Sequence, residues 1–143
     1  MTRQRIAVGL FFFSLLVVGI LVFRDYGINW DEPVHEWRGQ AFLDYVLRGD
    51  RRLINHTHER NYGSFPDIIL AGVERLVEQD SRTVYLARHL ILFLIFCLGV
   101  WFLYLVGLKI FARREIALLG CLMLVVSPRL FAHSFYNPKD TPL

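Results

Sequence analysis

The sequence predicts an all-α membrane protein, on three observations. Ile6 to Phe23 is an uncharged run of 18 residues, and Leu90 to Leu108 is another of 19. A third apolar segment starts at Ile116 and is interrupted at Ser127-Pro128-Arg129. Hydrophobic residues make up 55% of the chain and fall into these blocks rather than into an amphipathic pattern. At about 1.5 Å rise per residue the first run reaches roughly 27 Å, close to the ~30 Å hydrocarbon core of a bilayer. A helix satisfies its own backbone polar groups, so a bilayer suits such a run. Two buried core helices are the alternative, but the rest of the chain is too short and too polar to wrap them.

The elements follow in order. Arg3 and Arg5 precede the first run and place the N-terminus in the cytoplasm. The run exceeds a signal-peptide core and lacks a small-x-small cleavage site before Arg24, so it reads as an uncleaved transmembrane helix, about 6–23. The region from Arg24 to Arg88 holds nine arginines. It is longer than about 60 residues, and loops of that length cross largely regardless of charge. It is expected outside, as a loop over about 24–87. Within it Val34, Trp37, Ala41, Tyr45 and Leu47 form a rough apolar stripe, with Arg38, Gln40 and Asp44 off it. Ser64 caps a second helix with Asp67 three residues on. Ile69, Gly72, Val73, Leu76 and Val77 form its apolar face, opposite Glu74, Arg75 and Glu78. Surface helices at about 34–48 and 65–79 are expected to lie on the membrane, with a small cap packing on itself as the alternative.

A second transmembrane helix is expected at about 88–111. Lys109, Arg113 and Arg114 mark the cytoplasmic turn that follows. The third segment, about 115–132, is short: the eleven residues from Ile116 to Val126 span only about 16 Å. It is read as a helix kinked near Pro128 whose outer end delivers Asn137 into a second outer loop from 133. The site of all this is a plasma (inner) membrane, crossed several times.

The net charge of +3 and the lack of a basic, aromatic-interleaved stripe argue against nucleic acid and suit an anionic lipid surface. Cys97 and Cys121 both fall in apolar segments and read as small hydrophobes. Asn55-His56-Thr57 matches a glycosylation acceptor, and His56 and His58 read as solvated rather than as metal ligands.

Two polar clusters carry the candidate chemistry. Asp31 and Glu32 follow the first membrane helix near the headgroup boundary, with Trp30 as an interfacial anchor. A carboxylate there suits a general base. Arg129, His133, Asn137, Lys139 and Asp140 arrive from the third segment on the same face. Cationic side chains are what a phosphate leaving group needs. Asp140 and Glu32 are candidates to hold a divalent cation, Mg²⁺ or Mn²⁺, bridging phosphate oxygens. Pro138 and Pro142 stiffen the stretch.

Asp31-Glu32 after the first membrane helix resembles the polytopic glycosyltransferases of the GT-C fold. The stretch from Ser127-Pro128-Arg129 through His133 to Asn137-Pro138-Lys139-Asp140 resembles bacterial glycosyltransferase family 39-like proteins, relatives of protein O-mannosyltransferases and aminoarabinose transferases. That resemblance implies inverting transfer of a hexosyl or pentosyl group from a polyprenyl-phosphate donor to an acceptor hydroxyl at the outer face. Asp31 would be the base or a metal-linked acid, and Lys139 would face the donor phosphate. The family has about ten or more membrane helices, so a three-helix chain is expected to be an N-terminal part of the bundle, inactive alone. The alternative is a non-catalytic three-helix membrane scaffold or assembly subunit; a transporter fragment is a third reading.

Overall fold

The computed structural model describes residues 2–61, 65–77 and 80–139. These form helices and no strand: α1 (Thr2–Val22), α2 (Glu32–Arg48), the single turn α3 (Arg52–Asn55), a 3-10 turn (Glu59–Asn61), α4 (Phe65–Glu74), α5 (Ser81–Phe111), α6 (Arg114–Val126) and α7 (Pro128–Tyr136). Two helices, α1 and α5, are long and apolar enough to cross a membrane, and α6 with α7 makes a third span if the bent pair is counted as one.

The long helix α5 organises the rest. Asp80 caps it, its Oδ2 accepting the Thr83 backbone N–H at 3.2 Å, so the helix begins seven residues before the expected 88. Its 31 residues extend about 46 Å, well beyond a ~30 Å hydrocarbon core. The basic residues at its N-terminal end include Arg88 and His89, both buried. At the other end Ala112, with φ 52°, turns the chain sharply back into α6. Gly107 lets the two helices meet: a Cβ there would stand 3.2 Å from Ala117.

The third segment is broken rather than kinked. Pro128 has no N–H to continue the α6 ladder and sits instead in the first turn of a new helix. Ser127 is extended between the two, and α7 leaves at 71° to α6. This swings α7 across the upper part of α5, where Phe135 stacks on Phe93 at 4.9 Å and on Tyr26 at 4.4 Å. The core runs down this seam: Val8, Leu15 and Phe23 of the first helix and its end, Phe93, Phe96, Val100 and Tyr104, then Ala117, Cys121 and Phe135. Cys121 is buried as a small hydrophobe, its thiol 3.5 Å from the Val100 carbonyl. On the outside Ile6, Leu10, Phe13, Ile20 and Leu21 of α1 are exposed, as hydrocarbon would favour.

The segment between α1 and α5 folds on itself as a cap. It does not form two independent surface helices. The helices α2 and α4 touch at Gly39, where an added Cβ would collide with the Asp67 carbonyl and lie 3.2 Å from Ala71 Cβ. The cap departs from the expectation on its polar side, which is buried together with Ala41, Leu53, Leu70 and Ala71 rather than solvated. Its interior holds Glu32, His35, Arg38, Asp67 and Glu74, while Val34, Trp37, Tyr45, Leu47, Ile69 and Leu76 are exposed. Arg38 and Glu74 were expected on the solvent side. Each of these inward side chains has at least one charged or polar partner. Arg38 Nε donates to Asp67 at 2.7 Å and Nη1 to Glu59 at 2.8 Å. Gln40 donates to Glu74 at 2.8 Å, and Arg88 pairs with Glu74. A rim network adds Asp44, which accepts from Arg75 and Arg52 at 2.8 Å each. The expected Ser64 cap, Glu78, Asp140 and Pro142 lie outside the described residues.

Candidate active site

Asp31 and Glu32 are consecutive but take opposite directions. Asp31 is the N-cap of α2, and its side chain caps nothing. Pro33 in the first turn fixes the start of the helix there. Asp31 is exposed. Glu32 is fully buried. Its Oε1 takes the His89 Nε2–H at 2.9 Å, and its Oε2 takes the Asn29 backbone N–H at 2.6 Å. Because a carboxylate only accepts, the His89 proton sits on Nε2. Glu32 therefore ties the start of α2 to α5.

A cavity of about 140 Å³ opens beside Asp31 and is lined by Asp31, Val34, His35, Arg38, Glu59 and Lys139. Asp31 and Lys139 are exposed at its mouth, whereas His35 and Arg38 are buried and form its floor. Lys139 arrives from beyond α7. Asn137 shapes that turn: its Oδ1 accepts the Lys139 backbone N–H at 3.1 Å, and its amide meets His133 Nδ1 at 3.0 Å. Pro138 between them is buried. The structure thus brings Asp31 and Lys139 to one cavity, places Asn137 and His133 as supports of Lys139, and leaves Arg129 exposed on α7 away from the lining. Asp140 lies outside the described residues. The volume is below the roughly 300–1,000 Å³ of a site that engulfs a drug-sized ligand, and suits one charged group such as a phosphate.

The floor was not anticipated from sequence. His35 Nδ1 lies 3.3 Å from Asp67 Oδ1, in ion-pair range but without hydrogen-bond geometry, and Arg38 Nη2 also reaches the same nitrogen. Asp67 Oδ1 has no hydrogen-bond partner among the described residues, although it is buried. The one nitrogen can serve either neighbour. Without a proton it accepts from Arg38; with one it can supply the donor that Asp67 Oδ1 lacks. Asp31, His35 and Arg38 sit at spacings of four and three residues, one face of a helix, and that spacing was the signal available in the sequence.

Among the described residues no group of three His, Cys, Asp or Glu stands ready to hold a metal ion. His56 does not face His58 as a ligand pair would; it packs on Trp37 at 5.0 Å, and its Nδ1 accepts the Glu59 N–H at 3.2 Å. Compared with known protein families, with curated proteins and with solved structures, the chain matches none.

Proposed function

We propose that the protein is a membrane glycosyltransferase that moves a sugar from a polyprenyl-phosphate donor to an acceptor hydroxyl at the membrane face bearing the cap. One observation carries the reading. A carboxylate from the start of α2 and a lysine from beyond α7 share a cavity at the boundary of an apolar helical bundle, over a floor holding a histidine and an arginine. A phosphate on a long apolar anchor would arrive at this boundary, with its anchor in the lipid.

The roles follow from the positions. Asp31, exposed and engaged in no cap hydrogen bond, takes the acceptor hydroxyl's proton. The acceptor oxygen bonds to the anomeric carbon as the bond from that carbon to the phosphate oxygen breaks, with inversion. Lys139 meets the charge that grows on the departing phosphate. Arg38 is already shared between Asp67 and Glu59, so its part is to hold the floor. His35 adds a ring N–H to the same wall. Glu32, bonded to the His89 ring and the Asn29 backbone, fixes the start of α2 beside Asp31.

The test is transfer by the full-length protein in proteoliposomes, offered a panel of polyprenyl-phosphate sugars. Sugar transfer with release of polyprenyl phosphate supports the reading. No turnover across the panel by protein shown to be folded favours the scaffold, for which the exposed Trp37, Tyr45, Leu47 and Leu76 provide a contact surface.

A further inference from the structure

The end of the bundle opposite the cap has a charge pattern that sugar transfer does not use. The start of α1 meets the start of α6 through Gln4 and Glu115, and along the sequence these ends and the end of α5 carry Arg3, Arg5, Lys109, Arg113 and Arg114 beside one carboxylate, Glu115. Between them lies a cavity of about 440 Å³, lined by Gln4, Leu108, Ala112, Arg113, Arg114 and Glu115. The carboxylate is already engaged, because the Gln4 amide donates to Glu115 Oε1. Arg114 Nη1 is enclosed and has no acceptor among the described residues. A guanidinium cannot lose its charge, and an anion's oxygen would satisfy this donor. The cavity wall therefore sets two arginines against one carboxylate.

The surroundings say where the anion comes from. Ile6 of α1 and Ile110 and Phe111 of α5 flank these cations in sequence and are 55%, 68% and 53% exposed. An apolar surface meeting a basic cavity is the profile of the boundary between acyl chains and headgroups. We propose that this cavity binds the phosphate of an anionic lipid headgroup, with the acyl chains along the exposed apolar residues of α1 and α5. Arg114 and Arg113 grip the phosphate oxygens, and Glu115, held by Gln4, stays turned to the amide. This site is independent of the sugar-transfer reading.

The experiment uses the full chain in mixed micelles, with lipid retention read by native mass spectrometry. Phosphatidylglycerol should be retained in preference to phosphatidylcholine. Arg113→Gln with Arg114→Gln should lower that retention about 30-fold, from roughly fivefold per interfacial cation. Arg3→Gln with Arg5→Gln removes the same charge outside the cavity and should lower it far less. Arg114→Lys keeps the charge without the planar fork and should also lose retention, which covers the case of a double variant that does not fold. Equal losses from the Arg3/Arg5 and Arg113/Arg114 pairs would overturn the site in favour of diffuse attraction. Displacement of the lipid by inorganic phosphate at matched concentration would overturn the lipid as its source.

Discussion

Replacing Arg38 by methionine should unfasten the cap. The guanidinium is 4% exposed and its partner Asp67 is 2% exposed, with Nε to Oδ2 at 2.7 Å and Nη1 to Glu59 at 2.8 Å. Methionine fills much of the volume but leaves Asp67 buried with only the His35 ring, 3.3 Å away, to compensate it. Removing one partner of a buried pair costs about 3–5 kcal/mol, because the remaining charge is stranded. Amides in the middle of α2 that exchange through cap opening should then exchange about 10²- to 10⁴-fold faster, as hydrogen exchange in detergent micelles would show. Arg38→Met with Asp67→Leu removes both charges and should recover most of the loss, since an apolar replacement of a buried pair is often near neutral. The reasoning fails if the single variant lies within about 1 kcal/mol of the parent, or if the double variant is no better than the single.

The other predictions concern the neighbouring groups. Asp31→Asn in the full-length protein should cut transfer by about 10²- to 10⁴-fold while leaving thermal stability unchanged, whereas Glu32→Gln should show itself first as a lowered unfolding temperature. The carboxyl of Asp44 is held below its ordinary range by the hydrogen bond from Arg75, reinforced by the charges of Arg75, Arg48 and Arg52. A depressed folded value means that this stabilisation is complete above about pH 4 and is lost as pH falls through the lower folded value. The unfolding midpoint should thus fall on the acid side, and Asp44→Asn should flatten that limb. Cysteines introduced at Asn55 and Asn137 should label from one side of the membrane and a cysteine at Ala112 from the other, because the broken pair α6 and α7 carries Lys139 back to the cap; protection of position 137 from the cap side would contradict it.

The membrane helices were legible because hydrocarbon admits so few solutions: long uncharged runs such as Ile6–Phe23 can be read directly. The break at Pro128 was half legible. The residue marked the place, but the 71° turn and the seating of Phe135 between Phe93 and Tyr26 that accompanies it are encoded in no local pattern. The cap was legible only in part. Periodicity finds the apolar stripe on α2 and suits it to a membrane surface, which leaves the opposite, polar face to water. Here the inner face is built from charges that find partners far along the chain, Arg38 with Asp67 and Glu74 with Arg88. The same long-range pairing explains the site. Asp31 and Lys139 were identifiable as residue types at the two clusters. The burial of Glu32 against His89 follows only from how α2 docks against α4 and α5, and the 31/35/38 spacing that puts His35 on the face of Asp31 does not by itself say that this face lines a cavity.

The central claim is that Asp31 and Lys139 act on one substrate across one cavity, and a double-mutant cycle on sugar transfer tests it most directly. Asp31→Asn, Lys139→Ala and the combined variant would be compared in kcat/KM with a single polyprenyl-phosphate sugar. Residues that serve one transition state are non-additive, so the combined variant should be little worse than the poorer single variant. Losses that simply multiply would place the two side chains in separate roles and contradict the shared site.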